Sequence, residues 1–225
     1  SSEKIPVSAL GQLISAFNGY LILPRLLIPI ESTPGETRVA ATPETVKKFV
    51  SYGCQVFIEK DAGASAGFMD EAYKAVGAEL VRKEEQDAWS AADCLLCVRA
   101  PSAKNISKLR EKALLVGLLN PYGNQTLSNT LTSSQLSAIS LELLPRISRA
   151  QSSDALSSQA NIAGYKAVLL AASALDRYFP MLMTAAGTVQ PAKLIVLGAG
   201  VAGLQAVATA KRLGAVVFVS DIRPA

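Results

Sequence analysis

Short runs of four or five apolar residues alternate along most of this chain with longer stretches in which apolar side chains recur every three or four positions. That alternation is the signature of β-α units building a parallel sheet. Residues 26–30 form the first expected strand. A helix is expected over residues 43–52, where Thr42 stands as N-cap, Pro43 occupies the first helical position, Glu44 lies in the first turn and Gly53 is the stop. Further strands are expected at 55–59, 95–98, 113–118 and 137–141, with helices at 70–76, 106–111 and 126–136 and a Gly-rich loop at 62–68. These five or so units predict an α/β fold whose first lobe is a flavodoxin-like parallel sheet.

A long Ala- and Ser-rich segment at 153–178 then reads as a helix ended by Pro180, and residues 184–191 read as a linker. After it come a continuous apolar strand at 193–197, a glycine loop at 198–203, a helix at 204–213 stopped by Gly214, and a second apolar strand at 216–220 ending at Asp221. The expected organisation is therefore an N-terminal extension at 1–25, a first α/β lobe at 26–152, a connecting helix and linker at 153–190, and the start of a second lobe at 191–225. The extension is uncharged from Ile5 to Pro24, with Leu10, Leu13, Ile14, Phe17 and Leu21 at helical spacing. It reads as an amphipathic packing helix, with a membrane-surface segment or the end of a linker as the alternatives.

Composition narrows the chemistry. Hydrophobic residues make up 50% of the chain and charged residues 18%, which marks a globular protein and not a disordered one. The net charge of +4 is scattered without a basic stripe, so nucleic-acid binding receives no support. There is no histidine, which removes mechanisms that depend on an imidazole base. Three cysteines, Cys54, Cys94 and Cys97, are an odd number and argue for a reducing compartment. Cys94 and Cys97 have redox or metal spacing but sit in an apolar run without a second pair, so they read as core residues and no metal site is expected.

The order strand, glycine loop, helix, strand and acid within about 30 residues is a dinucleotide-binding signature. Gly198 permits the tight turn, Gly200 lets backbone approach a pyrophosphate, and Gly203 lets helix and strand pack closely. The helix N-terminus offers N–H groups and a positive dipole end to phosphates. Asp221 is placed to accept from both ribose hydroxyls and to repel a 2′-phosphate, which favours NAD over NADP, while Arg223 close behind offers the opposite chemistry. A full Rossmann lobe has six strands and two lie here. The second lobe is thus expected to be truncated and the chain to be an excised piece that binds NAD poorly alone.

Four stretches carry a family resemblance: ETRVAATPETV at 36–46, PRISRAQSSDALSSQANIAGYKAV at 145–168, TAAGTVQPAK at 184–193, and GAGVAGLQA with SDIRP at 198–206 and 220–224. As a set they resemble the NAD(H)-binding component of the proton-translocating nicotinamide nucleotide transhydrogenases, within the alanine dehydrogenase/transhydrogenase superfamily. The resemblance spans about residues 26–225. It implies that Arg146, Gln151, Asp154 and Ser157 line the nicotinamide end of an NAD(H) site, and that Val201, Asp221, Ile222 and Arg223 contact the adenosine side. It also implies hydride transfer to NADP(H) held by a partner component, coupling through a membrane proton-channel component, and a homodimer. The expected location is the soluble side of an energy-transducing membrane, mitochondrial inner or bacterial plasma. Transfer between two nicotinamides needs no general base, so the missing histidine is tolerated. Ser152, Ser153 and Ser158 read instead as helix caps and small packing residues. An alanine dehydrogenase-like oxidoreductase is the alternative, and a non-catalytic nucleotide-sensing module a third reading.

Overall fold

The structure is a computed structural model that describes residues 24–145 and 147–223. The extension expected at 1–25 lies outside the described residues except for Pro24 and Arg25, and Arg25 opens the first strand. The chain forms two compact units, one running to Ser152 and the other beginning at Ser153.

In the first unit six parallel strands form one sheet: β1 (Arg25–Ile28), β2 (Gln55–Glu59), β3 (Glu79–Val81), β4 (Cys94–Arg99), β5 (Leu114–Leu118) and β6 (Ser137–Ser140). Their spatial order is β3-β2-β1-β4-β5-β6. This is the doubly wound order of dinucleotide-binding sheets. Without β3 the remaining five strands, renumbered, have the flavodoxin order 2-1-3-4-5, so the short edge strand is the whole difference from the five-unit expectation. The helices are α1 (Pro43–Ser51), α2 (Asp70–Lys74), α3 (Gln86–Ala91), α4 (Ala103–Ile106) and α5 (Gln125–Ser133).

Strand alternation divides the core between the two faces of this sheet. Leu27, Leu95, Cys97 and Leu115 pack with Trp89, Ile106 and Leu127 on one face. Leu26, Ile28, Val56 and Ile58 pack with Val46 and Tyr73 on the other, with Cys94 and Leu96 against them. Cys94 and Cys97, three apart on β4, therefore belong to opposite faces, which is why their spacing neither chelates nor bridges. Burial raises the Cys94 thiol to about 12 and moves Cys97 upward as well.

Local chemistry explains the element ends. Thr42 Oγ1 accepts the Thr45 N–H at 3.3 Å, with Pro43 at the first helical position. The helix expected at 106–111 is instead α4, because Ser102 caps it, its Oγ accepting the Asn105 N–H at 3.3 Å. The unexpected β3 and α3 are tied down by a buried carboxylate at the end of β2. Glu59, 1% exposed, accepts from Trp89 Nε1 at 2.9 Å, from the Glu84 N–H at 2.6 Å and from the Ile30 N–H at 2.9 Å. One acidic side chain thus satisfies three donors from three segments.

The second unit opens on the long helix α6 (Ala155–Ala174). The stretch expected to be a linker forms an antiparallel hairpin of β7 (Leu182–Thr184) and β8 (Gly187–Val189), turning at Ala185 and Ala186. Then follow β9 (Lys193–Leu197), α7 (Val201–Arg212) and β10 (Val216–Ser220). The long helix is four residues shorter at its C-terminal end than expected, and α7 begins three residues earlier. A small core of Val168, Phe179, Ala192, Ala210 and Ala215 joins these elements. Gly164 brings α6 against the start of α7: a Cβ there would lie 2.1 Å from the Ala202 carbonyl oxygen. The Asn161 amide donates to Gln205 Oε1 at 3.2 Å beside this contact. Among the described residues, no helix is long and apolar enough to cross a membrane.

Candidate dinucleotide site

β9 and β10 pair in parallel from Lys193 opposite Val216 to Leu197 opposite Ser220, so both strands end at one level. The glycine loop leaves the first strand there and Asp221 leaves the second. The Gly198 N–H donates to the Ser220 carbonyl at 2.7 Å, and Gly198 adopts φ +100°, a conformation that favours glycine. Gly200 is the N-cap of α7 in extended conformation, and no side chain caps that end. Nothing lies within 4 Å of a Cβ placed on Gly198 or Gly200, so the loop presents bare backbone outward. At Gly203 the same Cβ would stand 1.8 Å from the Gly198 carbonyl oxygen. The three glycines thus supply the turn, the open approach and the close helix-strand contact. Val201 opens the helix and the first amides of α7 have no partner within it, which leaves them facing whatever approaches. The geometry fits a pyrophosphate.

Asp221 sits against this loop. Its Oδ2 accepts the Ala199 N–H at 2.6 Å and Arg223 Nη2 at 2.9 Å; its Oδ1 accepts the Arg223 N–H at 2.8 Å and Arg223 Nε at 3.0 Å. The Arg223 guanidinium, then the two backbone amides, hold the carboxyl well below the usual range, and the ion pair raises Arg223 in return. Ile222 between them is fully exposed. The Ala199 amide is a participant the sequence reading missed; only the loop's return onto β10 reveals it.

On the proposed nicotinamide side the residues fall in different places. Arg146 lies outside the described residues. Gln151 is exposed in the 3-10 turn Ser148–Ser153, near the end of the first unit. Asp154 is the N-cap of α6, and its two oxygens accept the Ser157 N–H at 2.8 Å and the Ser157 hydroxyl at 2.6 Å. The Ser158 hydroxyl donates to the Asp154 carbonyl at 3.1 Å, a helix-start role. The structure brings Asp154 and Ser157 together, and separately gathers Gly198, Gly200, Val201, Gly203, Asp221 and Arg223 around one loop.

The first unit has a charged cluster that sequence reasoning overlooked, beside the carboxyl ends of β1 and β4 where the strand order reverses. Glu31 accepts the Val98 N–H at 2.5 Å and the Arg99 N–H at 2.9 Å, and burial raises its pKa. Glu36 pairs with Arg38 through Nε at 2.7 Å and Nη2 at 2.6 Å, with Arg99 Nε at 3.5 Å; the Arg38 guanidinium lowers the Glu36 carboxyl to about 2. A signal existed in the ETRVA stretch, where acid and arginine stand two apart. Among the described residues, no group of three or more His, Cys, Asp or Glu could hold a metal ion.

Comparison with known proteins places these features in a family. The model of the alanine dehydrogenase/PNT N-terminal domain matches residues 27–163, and that of the alanine dehydrogenase/PNT C-terminal domain matches residues 167–225. The chain is 48% identical over 206 residues to an NAD(P) transhydrogenase subunit alpha protein of Rhodospirillum rubrum, covering 89% of this chain and 53% of that protein. Among solved structures, the transhydrogenase of Sinorhizobium meliloti superposes with a TM-score of 0.84 at 48% identity, over 89% of this chain and 59% of that one. An L-alanine dehydrogenase superposes with a TM-score of 0.77 at 31% identity, over 88% and 55%. The chain therefore spans about half the length of the relatives it matches. Matched along both of its units, it belongs to the alanine dehydrogenase/PNT family.

Proposed function

We propose that this chain belongs to the NAD(H)-binding component of a proton-translocating transhydrogenase. The observation that carries this reading is the 48% identity, across 89% of the chain, to a protein named as a transhydrogenase alpha subunit, against 31% to an alanine dehydrogenase. Moving a hydride between two nicotinamides requires no imidazole acid or base, so a stretch of chain without histidine is compatible with it.

In this reading the chain binds and aligns. The amides at the start of α7 and the bare face of Gly198 and Gly200 take the pyrophosphate, Val201 and Ile222 flank the adenosine, and Asp221 accepts from its ribose. Arg146, Gln151, Asp154 and Ser157 fix the carboxamide and ribose of the nicotinamide half. Bound NADH supplies the hydride, and the protein contributes orientation and exclusion of water. The acceptor is NADP+ on a partner component, with a membrane component conducting protons and a second copy completing a dimer, on the soluble side of an energy-transducing membrane.

The test uses the natural-length protein that carries this sequence. Mixed with the NADP(H)-binding component of a transhydrogenase, it should reduce a thionicotinamide analogue of NADP+ at the expense of NADH, and only when both components are present. Robust NAD-dependent turnover of alanine or pyruvate would refute the assignment in favour of the dehydrogenase reading.

A further inference from the structure

The carboxylate of Asp221 is saturated by its neighbours. A carboxylate offers about four lone-pair positions, and four donors occupy them: the Ala199 N–H, the Arg223 N–H, Arg223 Nε and Arg223 Nη2. The two backbone donors are fixed, one by the glycine loop and the other by the tight local turn after Asp221. The two side-chain donors are not. Nε lies on Oδ1 at 3.0 Å and Nη2 on Oδ2 at 2.9 Å, so the guanidinium fork takes one position on each oxygen. A ribose diol that binds a carboxylate needs that same pair of positions.

We infer that Arg223 is an internal competitor for the ribose position, and that the Asp221–Arg223 pair, not Asp221 alone, sets which dinucleotide this site accepts. The inference rests on the reading of the site as dinucleotide-binding. A ribose with both hydroxyls free must first displace the fork. The Arg223 side chain is 68% exposed, so it leaves into water at little cost. While the pair is closed, the guanidinium neutralises the carboxylate and cancels much of its repulsion of a 2′-phosphate. A phosphorylated ribose meets in Arg223 a bidentate partner. The arginine thereby weakens binding of the plain ribose and blunts rejection of the phosphorylated one.

The probes are ADP-ribose and 2′-phospho-ADP-ribose, which lack the nicotinamide and so report on this half of the site. Their dissociation constants are measured by calorimetry on the natural-length protein and its variants. Arg223→Met keeps the stem and the backbone amide but removes the fork. It should tighten ADP-ribose about two- to five-fold, the worth of an exposed ion pair, and weaken the 2′-phosphorylated ligand. The gain should shrink at high salt, which already loosens the pair in the unsubstituted protein. Arg223→Lys, with a point charge in place of a fork, should fall between. Asp221→Asn should move the ratio of the two ligands the opposite way. ADP-ribose binding unchanged or weakened in Arg223→Met, with the protein folded, overturns the inference while leaving the dinucleotide reading intact. If the unsubstituted protein binds neither ligand, the dinucleotide reading fails and the inference falls with it.

Discussion

At the scale of single residues the glycine loop separates folding from binding. Gly200 has room around a would-be Cβ and an extended backbone that any residue adopts, so Gly200→Ala should leave the melting temperature nearly unchanged. Its methyl group would nonetheless stand on the face proposed for phosphate, and on that proposal dinucleotide affinity should drop at least about ten-fold, as a buried clash of one methyl does. Gly203→Ala should lose both, because its Cβ would lie 1.8 Å from the Gly198 carbonyl and force helix and strand apart. Melting and titration of the two variants side by side check this; equal losses of stability would refute the division of labour. A second residue-scale test concerns Glu36. Its carboxyl falls from the usual 4.5 to about 2 in the folded chain, through the Arg38 guanidinium first. A lowered folded value means stability that is present above the unfolded value and lost as pH falls through the folded one. Denaturation midpoints should therefore decline from about pH 4.5 toward about pH 2, and Glu36→Gln should flatten that stretch of the profile.

At the scale of elements, what the sequence revealed follows from how each element is held in place. β9 and the glycine loop were legible because a continuous apolar run and obligatory glycines leave a local signature. β3 was not, since three residues at a sheet edge show no period, and α3 is a six-residue helix held by Ala88 and Trp89 in the core and by the buried Glu59–Trp89 bond, too short to show a helical period. The hairpin of β7 and β8 resembled a linker because its strands are three residues each and mostly exposed, too short to show an alternating period. Gln151, Asp154 and Ser157 could be named only through family resemblance, since a polar stretch beside a helix start reads equally as capping, and capping is what Asp154 does toward Ser157. The approach of α6 to α7 yields a test with an informative sign. In open helix, Gly→Ala stabilises by about 1 kcal/mol through backbone entropy. At Gly164 the new methyl would stand 2.1 Å from the Ala202 backbone oxygen, so Gly164→Ala should instead destabilise by about 1–3 kcal/mol in urea titration. A stabilised variant would show that the two helices are not pressed together there.

At the scale of the whole molecule the two units differ in how their cores are built. The first sheet is covered on both faces by clusters that include Trp89, Tyr73, Leu27 and Ile58. The core cluster of the second unit gathers five buried residues, none larger than Phe179, and its β9–β10 pair leaves Ile195 69%, Leu197 82% and Phe218 51% exposed. Local opening follows the density of buried apolar contacts. Hydrogen exchange should therefore find amides of β1, β4 and β5 opening at the highest free energies and those of β9 and β10 at lower ones. Ligand linkage sharpens the contrast, since a dinucleotide bound only to the folded site adds about 2.7 kcal/mol at a hundred times its dissociation constant. That increment should appear in β9, β10 and the first turn of α7, with the amides of β2 and β3 unmoved. Identical opening energies in both units would mean that the chain unfolds as one body, and a uniform increment on adding NADH would mean that the small second core is cooperative with the large first one.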